Sequence, residues 1–378
     1  MSLAEQTRAA PLSISGKLLR MNWALVLLIC AISGIGFLML YSVAGGSMDP
    51  WAGRQMSRFG VGLMLMTIVA LIDIRVFRWA APWAYLGTFA LLLAVEFIGQ
   101  TGMGAQRWIR IGPLNLQPSE LMKIALVMAL ARYYAWLDPA RVSRPLWLIP
   151  PLALIALPAA MVLKQPDLGT ALMLVLGGGV VMFLAGVSWW YFGTAAAAAG
   201  GTVWAVLTSR GTDWQILKDY QYRRIETFLD PEKDPLGAGY HITQSKIAMG
   251  SGGLTGRGFM QGTQSRLNFL PEKHTDFIFT TLSEEFGAVG SIFLLILYVL
   301  VVVFGFASMA ANRDRFGALL TGGLTAAFFF FWGVNMAMVM GLIPIVGVPL
   351  PLVSYGGSAM LVLMLGFGLM QSAHIHRR

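Results

Sequence analysis

Charge is scarce in this sequence. Of its 378 residues, 12% are charged and 57% are hydrophobic, whereas roughly 25% of the residues in an ordinary soluble domain are charged. A soluble protein of this length needs charge to cover its surface. The composition therefore argues against a soluble domain and favours a polytopic membrane protein whose surface faces lipid.

Cysteine is almost absent, and nucleotide-binding fingerprints are missing. Cys30 is the only cysteine in the sequence, and no set of Cys and His has the spacing of zinc ligands. The glycine-rich stretch from 250 to 259 has Thr255 where a dinucleotide motif needs its third glycine, and no Gly-Lys-Ser or Gly-Lys-Thr follows. Haem, iron–sulfur and zinc centres are not expected, and the glycines predict a flexible, closely packed backbone.

Long apolar runs are plentiful. A bilayer crossing takes about 20 mainly apolar residues. Ten runs fit, at 23–43, 57–73, 78–99, 118–134, 146–163, 168–187, 189–208, 277–309, 316–342 and 354–372. We predict one all-α polytopic membrane domain over 1–378 with about ten transmembrane helices. The eighth run is too long for one simple crossing, so its first turns lie at the outer interface or the helix tilts. The first run exceeds the core of a signal peptide and indicates a retained anchor.

The basic residues indicate the orientation. The net charge is +9, from 27 Lys and Arg against 18 Asp and Glu, but these bases are scattered over many loops and form no stripe for nucleic acid. With the N-terminus inside, twelve bases fall on short cytoplasmic segments and five on short outer loops. The positive-inside rule then predicts a cytoplasmic N-terminus (1–22) and C-terminus (373–378). The long loop between helices 7 and 8 (209–275) is predicted to be extracytoplasmic.

One cluster of polar residues surrounds the start of the fourth run. Glu120 and Lys123 are three residues apart and therefore share a helix face. One interpretation is an ion pair with the Lys side chain extending towards the interface. The other is a cationic site that also uses Arg107 or Arg110 and suits a lipid pyrophosphate.

A second cluster precedes the eighth run directly. It comprises Glu272, Lys273, His274, Thr275 and Asp276. Thr275 or Asp276 would serve as a helix cap in the simplest interpretation. Four ionisable groups in five positions exceed what a cap needs, and a carboxylate beside lipid has a raised pKa that makes it a better general base. Asp276 is therefore the candidate catalytic residue.

Two further groups are predicted to be structural or to line a cavity. Asp167 would cap the sixth helix after Pro166, and neither this role nor the nearby Gln165 excludes lining a cavity. Glu284 and Glu285 lie two to three turns beyond Asp276. They would stabilise helix packing or hold a cation, and both alternatives remain open.

Several long motifs in order resemble the SEDS family (shape, elongation, division and sporulation) over nearly the whole chain. They are Arg107-Trp108, Gln117-Pro118-Ser119-Glu120 with Lys123, the stretch 165–170, Gly262-Thr263-Gln264, the stretch 269–279 and the stretch 351–358, which contains Ser354. The resemblance implies a peptidoglycan glycosyltransferase with ten helices that polymerises lipid II outside the cytoplasmic membrane. The Gly-Thr-Gln-Ser stretch and the short termini favour the branch of the family that acts in cell elongation.

The resemblance also implies roles for individual residues. Asp276 matches the family's essential aspartate and would act as general base, with inversion at the anomeric carbon. The residues expected to bind substrate or pyrophosphate are Arg107, Arg110, Glu120, Lys123, Lys273, His274, Thr275 and Ser354. Those expected to be structural or to line the cavity are Gln165, Asp167, Glu272 and Glu285. No cofactor is certain, and a divalent cation, Mg²⁺ or Mn²⁺, between pyrophosphate and a carboxylate stays open.

The expected partners follow from the same resemblance. They are lipid II, the nascent glycan strand, a class B penicillin-binding protein and other membrane proteins of the elongation machinery in the bacterial inner membrane. The sequence has no Ser-x-x-Lys acylation motif in a soluble domain, so cross-linking must be done elsewhere. Two rival functions are a lipid II flippase, which should carry charge along the whole crossing, and a non-catalytic scaffold, which needs no polar cluster.

Overall fold

The computed structural model describes residues 13–102, 105–111, 114–212, 215, 222, 238–263 and 273–377. These residues form a helical protein with one small sheet. The helices are α1 (Ile14–Leu19), α2 (Trp23–Val43), α3 (Ala52–Leu71), α4 (Ile74–Ile98), α5 (Pro118–Trp136), α6 (Pro145–Lys164), α7 (Leu168–Leu184), α8 (Trp189–Thr208), α9 (Ala238–Ser251), α10 (Ile278–Ala310), α11 (Arg315–Val339) and α12 (Gly357–Ile375), with a 3₁₀ turn at Pro139–Arg141.

A helix lies at each of the ten predicted apolar runs. Six of the helices in the described part of the chain, α2, α4, α6, α10, α11 and α12, are long and apolar enough to cross a membrane. The all-α membrane architecture is thus confirmed. The other four helices at these positions, α3, α5, α7 and α8, do not meet both conditions; α5, for example, carries Glu120, Lys123 and Arg132.

Carboxylates start several of these helices, as expected where main-chain N–H groups lack helical partners. The side chains of Asp73, Asp167 and Asp314 accept hydrogen bonds from the main-chain N–H groups of Arg75, Thr170 and Gly317, respectively. The predicted cap at Asp167 is confirmed. Gln117 occupies the cap position of α5 without a side-chain cap bond, and Pro118 fills the first turn.

The long helix α10 is interrupted near its start. Gly287 has φ 65° and ψ −160°, outside the helical region, and only glycine adopts such angles without steric cost. The main chain around it pairs with the loop after α9: Arg257 N donates to Glu284 O at 3.0 Å, and Ala288 N donates to Gly253 O at 2.9 Å. The eighth run is therefore not one continuous helix, and whether its first turns lie at the outer interface or the helix tilts stays a prediction.

The glycines of that loop allow the close approach. A β-carbon at Gly252 would lie 2.0 Å from Ser283 O, and one at Gly256 would lie 2.1 Å from Glu285 O. Side chains do not fit at such distances, so the loop packs on α10 only because these positions are glycine. The predicted close packing of this stretch is confirmed.

A small three-stranded antiparallel sheet, which the sequence did not predict, lies between α4 and α5. Its strands are β1 (Gln100–Gly102), β2 (Ala105–Ile111) and β3 (Leu114–Leu116), in that spatial order. Arg110 pairs with Asn115 across β2 and β3. A search for runs of about 20 apolar residues misses strands of three to seven residues.

Prolines inside α4 and α6 release main-chain carbonyls. Proline has no N–H to donate to the carbonyl four residues earlier, and three of the four interior prolines have that carbonyl bound by a side chain of a neighbouring helix. For Pro82 the carbonyl is Arg78 O, which accepts from Arg132 Nη1. For Pro151 it is Trp147 O, which accepts from Tyr133 Oη at 2.7 Å. For Pro158 it is Leu154 O, which accepts from Tyr85 Oη at 2.9 Å.

The two described ends of the chain meet on one side of the protein. Asn22 N donates to Gln371 Oε1 at 2.9 Å, and Gln371 Nε2 donates to Asn22 O at 3.1 Å. α12 ends beside this contact and is about 28 Å long at 1.5 Å per residue. The start of α12, where Ser354 and Gly356 lie, therefore belongs to the opposite end of the bundle.

Candidate active site

The turn that carries Asp276 is held by its main chain. The carbonyl oxygens of residues 274, 275 and 276 accept hydrogen bonds from Tyr355 N (2.9 Å), Ser354 Oγ (2.6 Å) and Asn335 Nδ2 (2.9 Å). The cap position of α10 falls on Phe277, which corrects the alternative that Thr275 or Asp276 caps this helix. Three consecutive anchored carbonyls fix the position of the main chain that carries the Asp276 side chain.

An aromatic row runs beside this turn. Trp51 stacks on His274 with ring centroids 4.6 Å apart and planes 17° apart, and His274 in turn lies 6.1 Å from Tyr355. The guanidinium of Arg58 lies over the ring of Tyr355, 4.8 Å from its centroid. Nη1 of Arg58 is buried without a hydrogen-bond partner in the described part of the chain. A cation with unused donors thus lies next to the Asp276 turn.

The predicted pair of Glu120 and Lys123 is confirmed. Lys123 Nζ lies 2.7 Å from Glu120 Oε1 and 3.9 Å from the centroid of the Phe331 ring. Both side chains line a cavity of about 80 Å³ that also touches Ser354 and is otherwise walled mainly by apolar side chains of α11 and α12. The cavity therefore joins a buried cation to the segment that anchors Thr275.

Arg107 contacts a different part of the site. Its Nε donates to Gln165 O at 2.9 Å, and its Nη1 lies 3.8 Å from Asp167 Oδ2, which also accepts from Gln117 Nε2 at 3.2 Å. Gln165 Nε2 donates to Leu92 O at 3.3 Å. Arg107 thus joins strand β2 to the turn between α6 and α7, and it is not among the residues that line the Lys123 cavity.

The segment 346–348 connects the two groups. A β-carbon at Gly169 would lie 2.5 Å from Val346 O, so the start of α7 packs directly on this segment. One residue later, the position of a β-carbon at Gly347 is 3.7 Å from Asp276 Oδ2. Asp276 therefore faces a stretch of main chain that rests on the Arg107 and Asp167 cluster.

Glu284 and Glu285 are buried where α10 is broken. Thr263 Oγ1 donates a hydrogen bond to Glu284 Oε1 at 3.0 Å. Ser42 Oγ donates a hydrogen bond to Glu285 Oε1. These bonds tie the loop after α9 and helix α2 to α10, which supports the packing alternative. The described residues contain no group of three or more His, Cys, Asp or Glu side chains able to hold a metal ion.

The remaining predicted site residues are placed as follows. Arg110 is exposed on β2. Lys273 is buried, and desolvation lowers the pKa of its ammonium group from the ordinary value of 10.5. Glu272 lies outside the described residues.

Comparison with known proteins decides the family. The model of the cell cycle protein family of FtsW, RodA and SpoVE matches residues 21–378. The chain belongs to this family. It is 43% identical over 366 residues to the peptidoglycan glycosyltransferase MrdB of Escherichia coli K12, covering 94% of this chain and 93% of that protein. The peptidoglycan glycosyltransferase RodA of Treponema pallidum is 31% identical over 420 residues, with 93% and 96% covered.

Solved structures agree with this assignment. A chain from a structure described as structural coordination of polymerization and crosslinking by a peptidoglycan synthase complex superposes with a TM-score of 0.79 at 32% identity, covering 94% of this chain and 97% of that one. The rod shape determining protein RodA of Thermus thermophilus superposes with a TM-score of 0.70 at 29% identity, with 94% and 97% covered. The resemblance to the SEDS family drawn from the motifs is confirmed.

Three polar residues beside the candidate site of this FtsW, RodA and SpoVE family member were not predicted from the sequence. They are Gln55, whose Nε2 donates to Ser354 O at 3.0 Å, Arg58 and Asn335. Gln55 and Arg58 lie at the edge of the second apolar run, and Asn335 lies inside the ninth. Polar groups at membrane depth are costly unless they have a partner. Their presence in or beside an apolar run is therefore the sequence feature that indicates a site.

Proposed function

We propose that this chain is a peptidoglycan glycosyltransferase that polymerises lipid II into glycan strands at the outer face of the cytoplasmic membrane during cell elongation. The main support is the position of Asp276. It lies on a turn that is anchored by Ser354, and Ser354 lines the same cavity as Lys123. A carboxylate, a buried cation and an apolar wall are the groups that a lipid-linked sugar pyrophosphate requires. The curated names of the relatives support the same activity.

Asp276 serves as the general base in this proposal. Its carboxylate takes the proton of an acceptor sugar hydroxyl while the hydroxyl oxygen bonds to the anomeric carbon of the donor. The bond from that carbon to the pyrophosphate oxygen breaks, and the lipid pyrophosphate leaves with the electron pair. A single displacement from the opposite face inverts the anomeric centre. The anchored carbonyls of 274–276 hold the base in place for this step.

The departing pyrophosphate needs positive charge around it. Lys123, Arg107 and Arg110 are the cations proposed from the sequence, and Arg58 joins them because its Nη1 lacks a partner within the described residues. His274, Thr275, Lys273 and the Glu120 partner of Lys123 complete the proposed substrate-binding set. Gln165, Asp167 and Glu285 support the surrounding segments.

A divalent cation is a separate proposal for this site. Mg²⁺ or Mn²⁺ would supply charge neutralisation between the pyrophosphate and one carboxylate, as Mg²⁺ commonly does when it keeps several waters. An all-protein cage does not fit the described residues, since they contain no cluster of three ligands. Polymerisation that survives EDTA would remove the cation from the proposal.

The topology is part of the same proposal. Ten helices cross the bacterial inner membrane, both termini are cytoplasmic, and the Asp276 end faces the periplasm. The contact between Asn22 and Gln371 supports it, because it puts both ends of the chain opposite the site. The loop 209–275 would then lie outside the membrane.

The proposed partners are lipid II, the nascent strand, a class B penicillin-binding protein and other elongation proteins. The similarity to a chain of a peptidoglycan synthase complex described with polymerization and crosslinking supports a transpeptidase partner.

Gel analysis of glycan made from purified lipid II by the purified protein tests the function. Wild type should yield polymer, and Asp276→Asn should yield none while its melting temperature stays near that of wild type. Asp73→Asn is the matched control, because Asp73 caps α4 and Asn caps a helix equally well. Polymer formed by Asp276→Asn overturns the assignment. Lipid transfer without polymer supports a flippase, and neither product supports a scaffold.

A further inference from the structure

A groove lies at the end of the bundle opposite Asp276, between α4, α5 and α6. It encloses about 880 Å³ and is lined by Arg75, Arg78 and Arg132 at one side and by aromatic and aliphatic side chains along the rest. Arg78 forms an ion pair with Asp314 at the start of α11, a helix whose far half carries the Asn335 contact to Asp276. We call this groove between α4, α5 and α6 the arginine groove. The proposed sugar chemistry does not use it.

The position of Arg132 in this groove is built into the fold. Pro82 cannot donate a hydrogen bond to Arg78 O, so this carbonyl is available. Nη1 of Arg132 donates to that carbonyl and, at 3.0 Å, to Trp79 O. Two acceptors on α4 thereby fix the guanidinium on the wall of the groove, with its remaining N–H groups available for a ligand.

Two of the three arginines have uncompensated charge. The ion pair with Asp314 neutralises Arg78, whereas no described carboxylate pairs with Arg75 or Arg132. Two cations at one groove attract an anion. The groove therefore has charge complementarity for a phosphate group.

The rest of the wall suits acyl chains. Trp79 and Trp136 are 68% and 71% exposed, and Leu86 is 55% exposed, although each is a large apolar side chain. Tryptophan is enriched at the level of lipid headgroups, with aliphatic side chains deeper in the bilayer. Lipid fills any groove that opens to the bilayer, and basic pockets between helices select anionic headgroups.

We propose that the arginine groove is a binding site for an anionic phospholipid. Its phosphate contacts the guanidinium groups of Arg75 and Arg132, and its acyl chains lie along Leu86 and Leu154. This ligand is a diacyl lipid of the bilayer. It is distinct from the polyprenyl pyrophosphate substrate, which the proposed function places at the other end of the helices.

Native mass spectrometry of the purified full-length protein tests the proposal. The protein is titrated with phosphatidylglycerol, cardiolipin or phosphatidylcholine of matched acyl chains. We expect wild type to retain one anionic lipid, and the pair Arg75→Gln and Arg132→Gln to weaken its binding about 10- to 30-fold, at about 1 kcal/mol for each arginine. Phosphatidylcholine binding should not change. The matched control is the pair Arg20→Gln and Arg144→Gln, two exposed arginines outside the groove.

A second variant keeps every charge. Pro82→Ala returns an N–H to the carbonyl of Arg78, which then competes with one of the two bonds that hold Arg132. It should therefore weaken anionic lipid binding while the melting temperature shows a folded protein. Three outcomes overturn the proposal. The control pair weakens anionic lipid binding as much as the groove pair does, or none of the groove variants changes anionic lipid binding. The third is that a polyprenyl phosphate displaces the phospholipid at a concentration lower than that of the phospholipid. Inorganic phosphate, lacking acyl chains, should not compete.

Discussion

The side chain of Asn335 donates a hydrogen bond to the main chain of Asp276. Its Nδ2 donates to Asp276 O at 2.9 Å and also to Val348 O at 2.7 Å. The amide is fully buried in α11, so a single side chain fixes both the turn that carries the proposed base and the segment that faces it. Asn335 is therefore a positioning residue for Asp276.

Replacing this amide should lower the rate without changing the reacting groups. Asn335→Ala removes both bonds, and we expect kcat for lipid II polymerisation to fall about 10- to 100-fold, since small displacements of a catalytic group cost that much. Unfolding should become easier by about 1–3 kcal/mol, because two buried carbonyls lose their donor.

The control is Asn312→Ala. Asn312 Nδ2 donates to Ala373 O at 3.0 Å at the opposite end of the bundle, so this variant should lose comparable stability and keep its kcat. Equal rates for the two variants would reject a positioning role for Asn335.

Arg58 should matter to the chemical step. Arg58→Gln removes the cation over Tyr355 while keeping a polar side chain of similar length, and removing one donor to a developing negative charge typically costs about 100- to 1,000-fold in kcat. Arg54→Gln, one turn earlier on α3 and exposed, is the matched control. Steady-state kinetics with lipid II should separate them. A kcat equal to wild type in Arg58→Gln would exclude the residue from leaving-group stabilisation.

The glycine loop after α9 should tolerate no β-carbon where it crosses the break in α10. Gly256→Ala forces an atom against Glu285 O and should destabilise the protein by at least about 1–3 kcal/mol, the usual cost of overpacking. Gly250→Ala meets no atom within 4 Å and should melt at or above the wild-type temperature. Thermal unfolding in detergent measures both. Similar melting of the two variants would show that the loop does not pack as described.

Lys273 should make stability rise with pH. Burial lowers its pKa below 10.5 in the folded protein, so between the folded pKa and 10.5 the unfolded chain binds more protons than the folded one. Stability therefore increases as pH rises through this window. Relative to Lys273→Met, the wild-type melting temperature should climb as the pH approaches 10.5 from below. A constant difference between the two would contradict the shift.

Features set by local sequence were predictable. Apolar length placed a helix at each of the ten runs, the carboxylate before α7 identified the cap at Asp167, and the spacing of three residues identified the pair of Glu120 and Lys123. Each of these depends on neighbours within one or two helical turns. Family motifs then directed attention to Asp276.

Features set by distant contacts were not predictable in this way. The break at Gly287 exists because the loop 253–258 pairs with its main chain, and a hydropathy scan of either segment shows nothing of the other. Asn335 likewise acquires a role only because residue 276 lies against it, 59 positions earlier in the chain. Single polar residues in apolar runs need their partners to be interpreted.

The interior prolines have a consequence for how sequences of this family vary. A chain with an ordinary residue at position 82 supplies an N–H to the carbonyl at 78, and the guanidinium at 132 then loses an acceptor. The same dependence joins 151 to the tyrosine at 133 and 158 to the tyrosine at 85. Across homologues, each of these three pairs of positions is therefore expected to change together, as correlated substitutions between two different helices.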